Sequence, residues 1–263
     1  MILRLMCIGA VLAAALPCAP AHSADPKVPL GRDPGGIAVA LVSAGIDYTV
    51  AEIARRLARD GEGDIVGWDF ADNDNRPFAA HGEGTSVAYM LSAMSFGRLV
   101  PVRVDPANPA SLARAVAFVA RTPARIAAVS LWSGRREDWE PFREAASHFK
   151  QMLFVVAAGQ DEQSVWPAAL KLDNMLAVAI ARADVQRKAP GVEALIDSPD
   201  LSHPTIAIAA AAGIAACLLQ AHPSLADGAA LKQRLLASGT PSETYGGARV
   251  LSGSVCPHGG KKP

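Results

Sequence analysis

Aromatic residues are scarce in this chain, at 5% of 263 residues. The core must therefore be built from aliphatic and small side chains, and a 51% hydrophobic share rich in alanine points to closely packed strands and helices. Net charge is also lacking, because 25 Lys+Arg balance 25 Asp+Glu, and no run of five like charges occurs. That removes the basic footprint that nucleic-acid binding requires. Only 19% of residues are charged, and the abundant apolar surface excludes a disordered chain. Cysteine is too sparse for a disulfide scaffold: Cys7 and Cys18 fall near the start, leaving Cys217 and Cys256. These two either form one bridge between a helix and the tail, or Cys217 is an inert buried thiol in its apolar run. No internal repeat, low-complexity segment or dividing linker appears, and the length fits one α/β domain.

Long hydrophobic runs are missing as well. The most apolar stretch, 205–219, is about 15 residues, short of the roughly 20 that span a bilayer, and reads as a buried core helix. Residues 1–24 combine an early Arg4, an apolar stretch over 8–16 and a small-residue exit at Ala19-Pro20-Ala21-His22-Ser23-Ala24, the plan of a secretory signal peptide. The expected organisation is a signal peptide over 1–24, a short linker over 25–34, one domain over 35–256 and a flexible tail over 257–263. No membrane span is expected once the signal is removed, and the location is secreted or periplasmic.

Continuous apolar runs at 37–46, 99–104, 126–131, 152–158 and 175–181 suit strands covered on both faces. Helical patterns alternate with them. Thr49-Val50-Ala51-Glu52 reads as a capping box opening a helix through Arg59, and Ser224-Leu225-Ala226-Asp227 as another near the end. Apolar residues at helical spacing occupy 112–121 and 137–150. The fold class is α/β, a doubly wound, mostly parallel sheet with helices on both faces, whose ligands belong at the carboxyl ends of strands.

At those ends lie motifs that resemble, in order, the blocks of the subtilisin-like serine proteases. Ile37-Ala38-Val39-Ala40-Leu41-Val42-Ser43-Ala44-Gly45-Ile46-Asp47 resembles the first strand, Val-Ala-Val-Ile-Asp-Thr-Gly-Ile-Asp. Gly67-Trp68-Asp69-Phe70-Ala71-Asp72-Asn73-Asp74 resembles the segment before the histidine motif, and Gly82-Glu83-Gly84-Thr85-Ser86-Val87-Ala88 resembles Gly-His-Gly-Thr-x-Val-Ala. Val100-Pro101-Val102-Arg103-Val104 and Val129-Ser130-Leu131 are similar to the next two strands. Val155-Val156-Ala157-Ala158-Gly159-Gln160-Asp161 resembles the oxyanion block Val-Ala-Ala-Gly-Asn-Asp, and the helix through Ala212-Gly213-Ile214 the nucleophile helix. The resemblance implies the three-layer fold of that family.

It also implies which positions should carry chemistry. In the family an Asp orients a His, the His takes the Ser proton, and an Asn donor stabilises the oxyanion. Ser43 stands at the Asp position, Glu83 at the His position, Gln160 at the Asn position, and Thr205 at the Ser position. A slip of three residues in the last block puts Ser202 there instead of Thr205. Ser43 supplies no negative charge to a protonated base, and Gln160 displaces its donor by one methylene, about an ångström. The related sedolisins use Glu at the His position, but with an Asp partner and a Ser nucleophile. In subtilisin, loss of nucleophile or base costs on the order of 10⁶ in turnover. Two readings follow: a homologue that has lost peptidase activity and binds peptide or protein, or a divergent hydrolase using Thr205 or Ser202 with Glu83. Only about a dozen residues separate the signal from the first strand, too few for the propeptide expected of an active secreted relative.

Ser130, Leu131 and Trp132 fall where the family lays its substrate peptide, and Trp132 replaces a Gly. That ring blocks the groove, anchors a ligand, or is buried in the core. His81 and His203 adjoin the altered motifs as solvated loop residues or displaced bases. No organic cofactor is implied. Calcium, which subtilases often bind, is a candidate for the oxygen-rich loop of Asp69, Asp72, Asn73, Asp74 and Asn75, although the spacing is not an EF-hand and a polar turn is the alternative.

Overall fold

The computed structural model describes residues 25–94, 97–158, 165–181, 191–197, 204–225 and 227–252. The proposed signal segment 1–24, the tail 257–263, and Gln160, Ser202, His203 and Cys256 lie outside the described residues.

The apolar runs form the parallel strands β1 (Ile37–Ser43), β3 (Gly97–Arg103), β4 (Ile126–Val129), β5 (Leu153–Ala157) and β6 (Met175–Ile180). Shorter strands β2 (Trp68–Asp69), β7 (Ala194–Ile196), β8 (Thr240–Pro241) and β9 (Arg249–Leu251) complete a nine-stranded sheet in the order β2-β3-β1-β4-β5-β6-β7-β9-β8. All neighbours pair in parallel except β8 with β9. The expected doubly wound α/β architecture is present.

Alternation along each central strand splits the core into two layers. Val39, Leu41, Ile126, Ala128, Leu153 and Val155 face one layer with α2 (Glu83–Ala93), α5 (Pro204–Ala221) and α6 (Gly228–Ser238). Ala40, Val42, Ala127, Val129, Phe154 and Val156 face the other with α3 (Ala110–Val119) and α4 (Glu140–His148). Ile208, Ile214 and Leu218 of α5 are each almost wholly buried, and such a side chain contributes about 1.5–3 kcal/mol. Among the described residues no helix is long and apolar enough to cross a membrane.

Two helix openings differ from the sequence reading. α1 is only Ala51–Ala54, and its N-cap is Val50; the Thr49 hydroxyl donates to Asp47 Oδ1 at 2.5 Å instead of capping. The chain leaves the helix because Leu99 N–H donates to Arg56 O at 2.6 Å and Ala58 N–H to Leu99 O at 2.8 Å, so pairing with β3 overrides the helical pattern through Arg59. At α6 the cap is Asp227, whose Oδ1 accepts from Ala230 N–H at 2.6 Å, and not Ser224.

Residues 25–34 contain no helix or strand, yet side chains fasten them to the domain. Tyr48 OH donates to Pro26 O at 2.6 Å, and burial, with Asp25 adding repulsion, pushes its pKa up to about 12. Arg59 Nη2 donates to Pro29 O at 2.7 Å. Asp33 accepts from the N–H groups of Arg59 and Gly35 and from Arg98. Burial raises the Asp33 pKa, but these donors outweigh it and hold the carboxyl below its ordinary value. A lowered native pKa means that the unfolded chain binds the proton more readily, so the stabilisation is complete above about pH 4 and disappears as pH falls through the native value. Asp33→Ala should cost about 2 kcal/mol at pH 7 and flatten the acid limb of a urea-stability profile measured from pH 6 to 3. An unchanged acid limb would count against this role.

Candidate functional site

β1 ends at Ser43, which is 1% exposed. Its hydroxyl oxygen accepts from Gly45 N–H at 3.2 Å and lies 3.3 Å from Gly45 O, to which it donates. This local pairing closes the turn that carries the chain off the sheet. Gly45 has φ +115°, and a Cβ there would stand 2.8 Å from Ala79 Cβ and 3.0 Å from Phe78 O, so both conformation and space require glycine.

The amino end of α2 is set directly on this turn. A Cβ on Gly84 would lie 2.3 Å from Gly45 O and 2.7 Å from Ser43 Oγ. Thr85 Oγ1 accepts from Asp47 N–H at 2.9 Å, tying the first turn of the helix to the loop after β1. Glu83 opens α2 immediately before Gly84 and is exposed. The structure therefore brings Ser43 and the helix start at Glu83 together, as the motif spacing implies.

Ser130 follows β4, and its N–H donates to Val42 O at 2.9 Å, so it stands beside the end of β1. It continues the alternation of Ile126 and Ala128, on the same face of the sheet as Ser43. Ser130 is 4% exposed, and its Oγ has no hydrogen-bond partner. Thr205 lies in the first turn of α5, on that face, and is 1% exposed. Ser43 and Ser130 thus stand side by side as buried hydroxyls at the carboxyl ends of β1 and β4, where a doubly wound sheet places its ligands, and Thr205 is a further buried hydroxyl at the start of α5. Gln160 belongs to the segment outside the described residues, as do Ser202 and His203.

Trp132 is 39% exposed, so the ring is not core-buried. Leu131 beside it packs partly into the α3/α4 layer. Among the described residues none hydrogen-bonds the peptide groups of Leu131 or Trp132. The next residue, Ser133, exchanges backbone bonds with Trp166 at 3.1 Å in both directions, and its Oγ accepts from Trp139 Nε1 at 3.0 Å. The chain is thus fixed immediately after an open extended edge. His81 is exposed in its loop.

The acidic loop has a resident counter-charge that sequence reading missed. Arg103, the last residue of β3, places Nη1 2.8 Å from Asp69 Oδ2 and also contacts Asp72 Oδ2. Asp69 is fully buried, and its Oδ1 accepts from the N–H groups of Ala71 and Asp72 at 2.7 and 3.0 Å. Oxygens of Asp25, Asp69 and Asp72 lie within 4.8 Å of one another, but Arg103 occupies two of these carboxylates. Burial lowers the Arg103 pKa, and Asp69 with Asp72 more than offsets that. With a guanidinium in place this donor set does not fit calcium. The available signal was a lone arginine ending an apolar strand.

No protein-family model and no curated sequence relative matches the chain. Solved structures do. A cold-adapted subtilisin-like serine proteinase aligns over 87% of this chain and 92% of its own, at 20% identity and TM-score 0.64. MycP1 with its N-terminal propeptide removed covers 88% and 94% at 20% identity and TM-score 0.63. A lanthipeptide protease covers 80% and 82% at 16% identity and TM-score 0.62. The fold is subtilisin-like. Within the subtilisin-like fold, Ser43 ends the first strand of the sheet, Glu83 starts the helix seated on it, and Thr205 starts the long central helix.

Proposed function

We propose that this chain is an exported peptidase homologue of subtilisin-like fold that has given up triad catalysis and binds an extended peptide or protein segment along residues 130–132. The observation that carries the reading is the closed turn at Ser43: the position expected to hold a base-orienting carboxylate holds a buried hydroxyl paired to Gly45. Without a negative charge there, a protonated base gains no stabilisation. Thr205 is covered, whereas Glu83 is exposed.

The open edge at Leu131 and Trp132 supports the binding half. An extended peptide supplies backbone bonds to such an edge, and an exposed Trp supplies an anchor of large area. Export is supported by the make-up of residues 1–24 and by Cys217, which is disulfide-bonded through a partner outside the described residues. Arg103 holds the acidic loop through its ion pairs to Asp69 and Asp72.

A library of unlabelled extended peptides, read by intrinsic Trp fluorescence and confirmed by calorimetry, tests this directly. Micromolar binders are expected, and Trp132→Ala should weaken them at least tenfold while leaving the unfolding midpoint unchanged, because the ring is a surface residue. Equal affinity in the variant would remove the edge from the binding site.

A further inference from the structure

At the end of the sheet away from Ser43 and Ser130, a cavity of about 20 Å³ lies beside the amino ends of β1 and β3. Arg56, Ser92, Arg98, Gly97 and Gly213 line it, together with aliphatic side chains of β1, β3 and α2. Its volume suits one occupant of about water size. Three polar groups meet there without partners. Ser92, on the last turn of α2, is 6% exposed, and its Oγ has no hydrogen-bond partner. Arg98 uses Nη1 on Asp33 at 3.0 Å but leaves a buried Nε–H unpaired. Arg56 makes no side-chain hydrogen bond or ion pair among the described residues.

Orphaned buried donors are costly, about 1–3 kcal/mol each, which makes an acceptor at this point favourable. A water molecule has only two acceptor sites for three donors and leaves the Arg56 charge uncompensated. A spherical anion accepts from all three. The local charge agrees: Arg98 is paired with the Asp33 carboxylate, and the unit positive charge of Arg56 exceeds the roughly half negative charge at the carboxyl end of α2. Guanidinium is weakly hydrated, and the aliphatic wall disfavours strongly hydrated or bulky anions. The small-residue positions contribute space. A Cβ on Gly97 would strike Ile37 O at 2.2 Å, so that position holds glycine and the wall stays thin.

We propose that this cavity binds one small monovalent anion of chloride size, held by Arg56, the Arg98 Nε–H and the Ser92 hydroxyl. Because the ligand touches α2, β3 and the chain after α1 together, it stabilises the folded domain by mass action. The site is independent of the peptide edge, and failure of either leaves the other untouched.

The test is thermal unfolding of the purified chain at fixed ionic strength, with methanesulfonate replaced stepwise by chloride or bromide, paired with bromide anomalous diffraction from crystals. The melting temperature should rise with halide and saturate, and a bromide peak should lie within hydrogen-bonding distance of Ser92 Oγ and Arg98 Nε. Arg56→Met should shift the halide midpoint at least tenfold upward. Ser92→Ala, which removes an orphan and hence folds readily, should also weaken the response. Identical melting in chloride and methanesulfonate overturns the proposal, as does an undiminished halide response in both variants. A bromide peak without any melting response means an adventitious ion only and overturns it as well.

Discussion

Gly84→Ala should destabilise the domain by about 3 kcal/mol, the upper end of the range for overpacking. One added methyl would sit 2.3 Å from Gly45 O and 2.7 Å from Ser43 Oγ. The nearer atom is backbone, so no rotamer change relieves the contact. α2 must lift from the end of β1, breaking the Thr85 Oγ1 bond to Asp47 N–H and disturbing the packing of Val87, Ala88 and Leu91. For a domain of this size the loss corresponds to a fall of about 6–12 °C in melting temperature. Gly61→Ala is the matched control: no atom lies within 4 Å of its Cβ, and its φ is outside the left-handed range, so it should change stability by less than about 0.5 kcal/mol. Equal melting of the two variants would show that α2 is not seated on Ser43 as described.

Lys232→Met should cost a similar amount, about 3 kcal/mol, by a different route. Lys232 on α6 is 6% exposed and places Nζ 2.6 Å from Glu193 Oε1, with a second bond to Leu172 O at 3.3 Å. Glu193 Oε2 accepts from Ala177 N–H at 3.1 Å, so one ion pair fastens α6 to β6 and to the entry of β7. The variant keeps most of the apolar stem and strands the carboxylate. The double variant Lys232→Met, Glu193→Gln should recover more than half of the loss, because a neutral amide still satisfies Ala177 N–H. Urea unfolding of the four proteins in a mutant cycle reads the coupling; additive effects would contradict it.

These sites show what sequence reasoning reaches. The five long strands and the burial of α5 follow from uninterrupted aliphatic runs, whereas Ser43 and Ser130 are singled out only by the motif resemblance. What escapes is set by tertiary pairing. The helix after Thr49 stops early because Arg56 and Ala58 bond to Leu99 across the sheet edge. β2 and β8 are two residues each, too short for a period to register. The close approach of Gly84 to Gly45 and the capture of Asp69 and Asp72 by Arg103 depend on distances in space that no motif spacing encodes. The motif resemblance singles out Ser43, Glu83, Gln160 and Thr205 in chain order, yet only the structure shows that Ser43 is closed on its own turn and Thr205 covered.

We propose that this subtilisin-like chain does not hydrolyse peptides by a serine-type mechanism. The decisive measurement is labelling of the purified protein by a fluorophosphonate probe, with casein turnover recorded alongside, from about pH 3 to 9, a range wide enough to cover both carboxylate and imidazole bases. No labelling and no turnover above buffer are expected at any pH. Labelling that disappears in Thr205→Ala or in Ser202→Ala would contradict it.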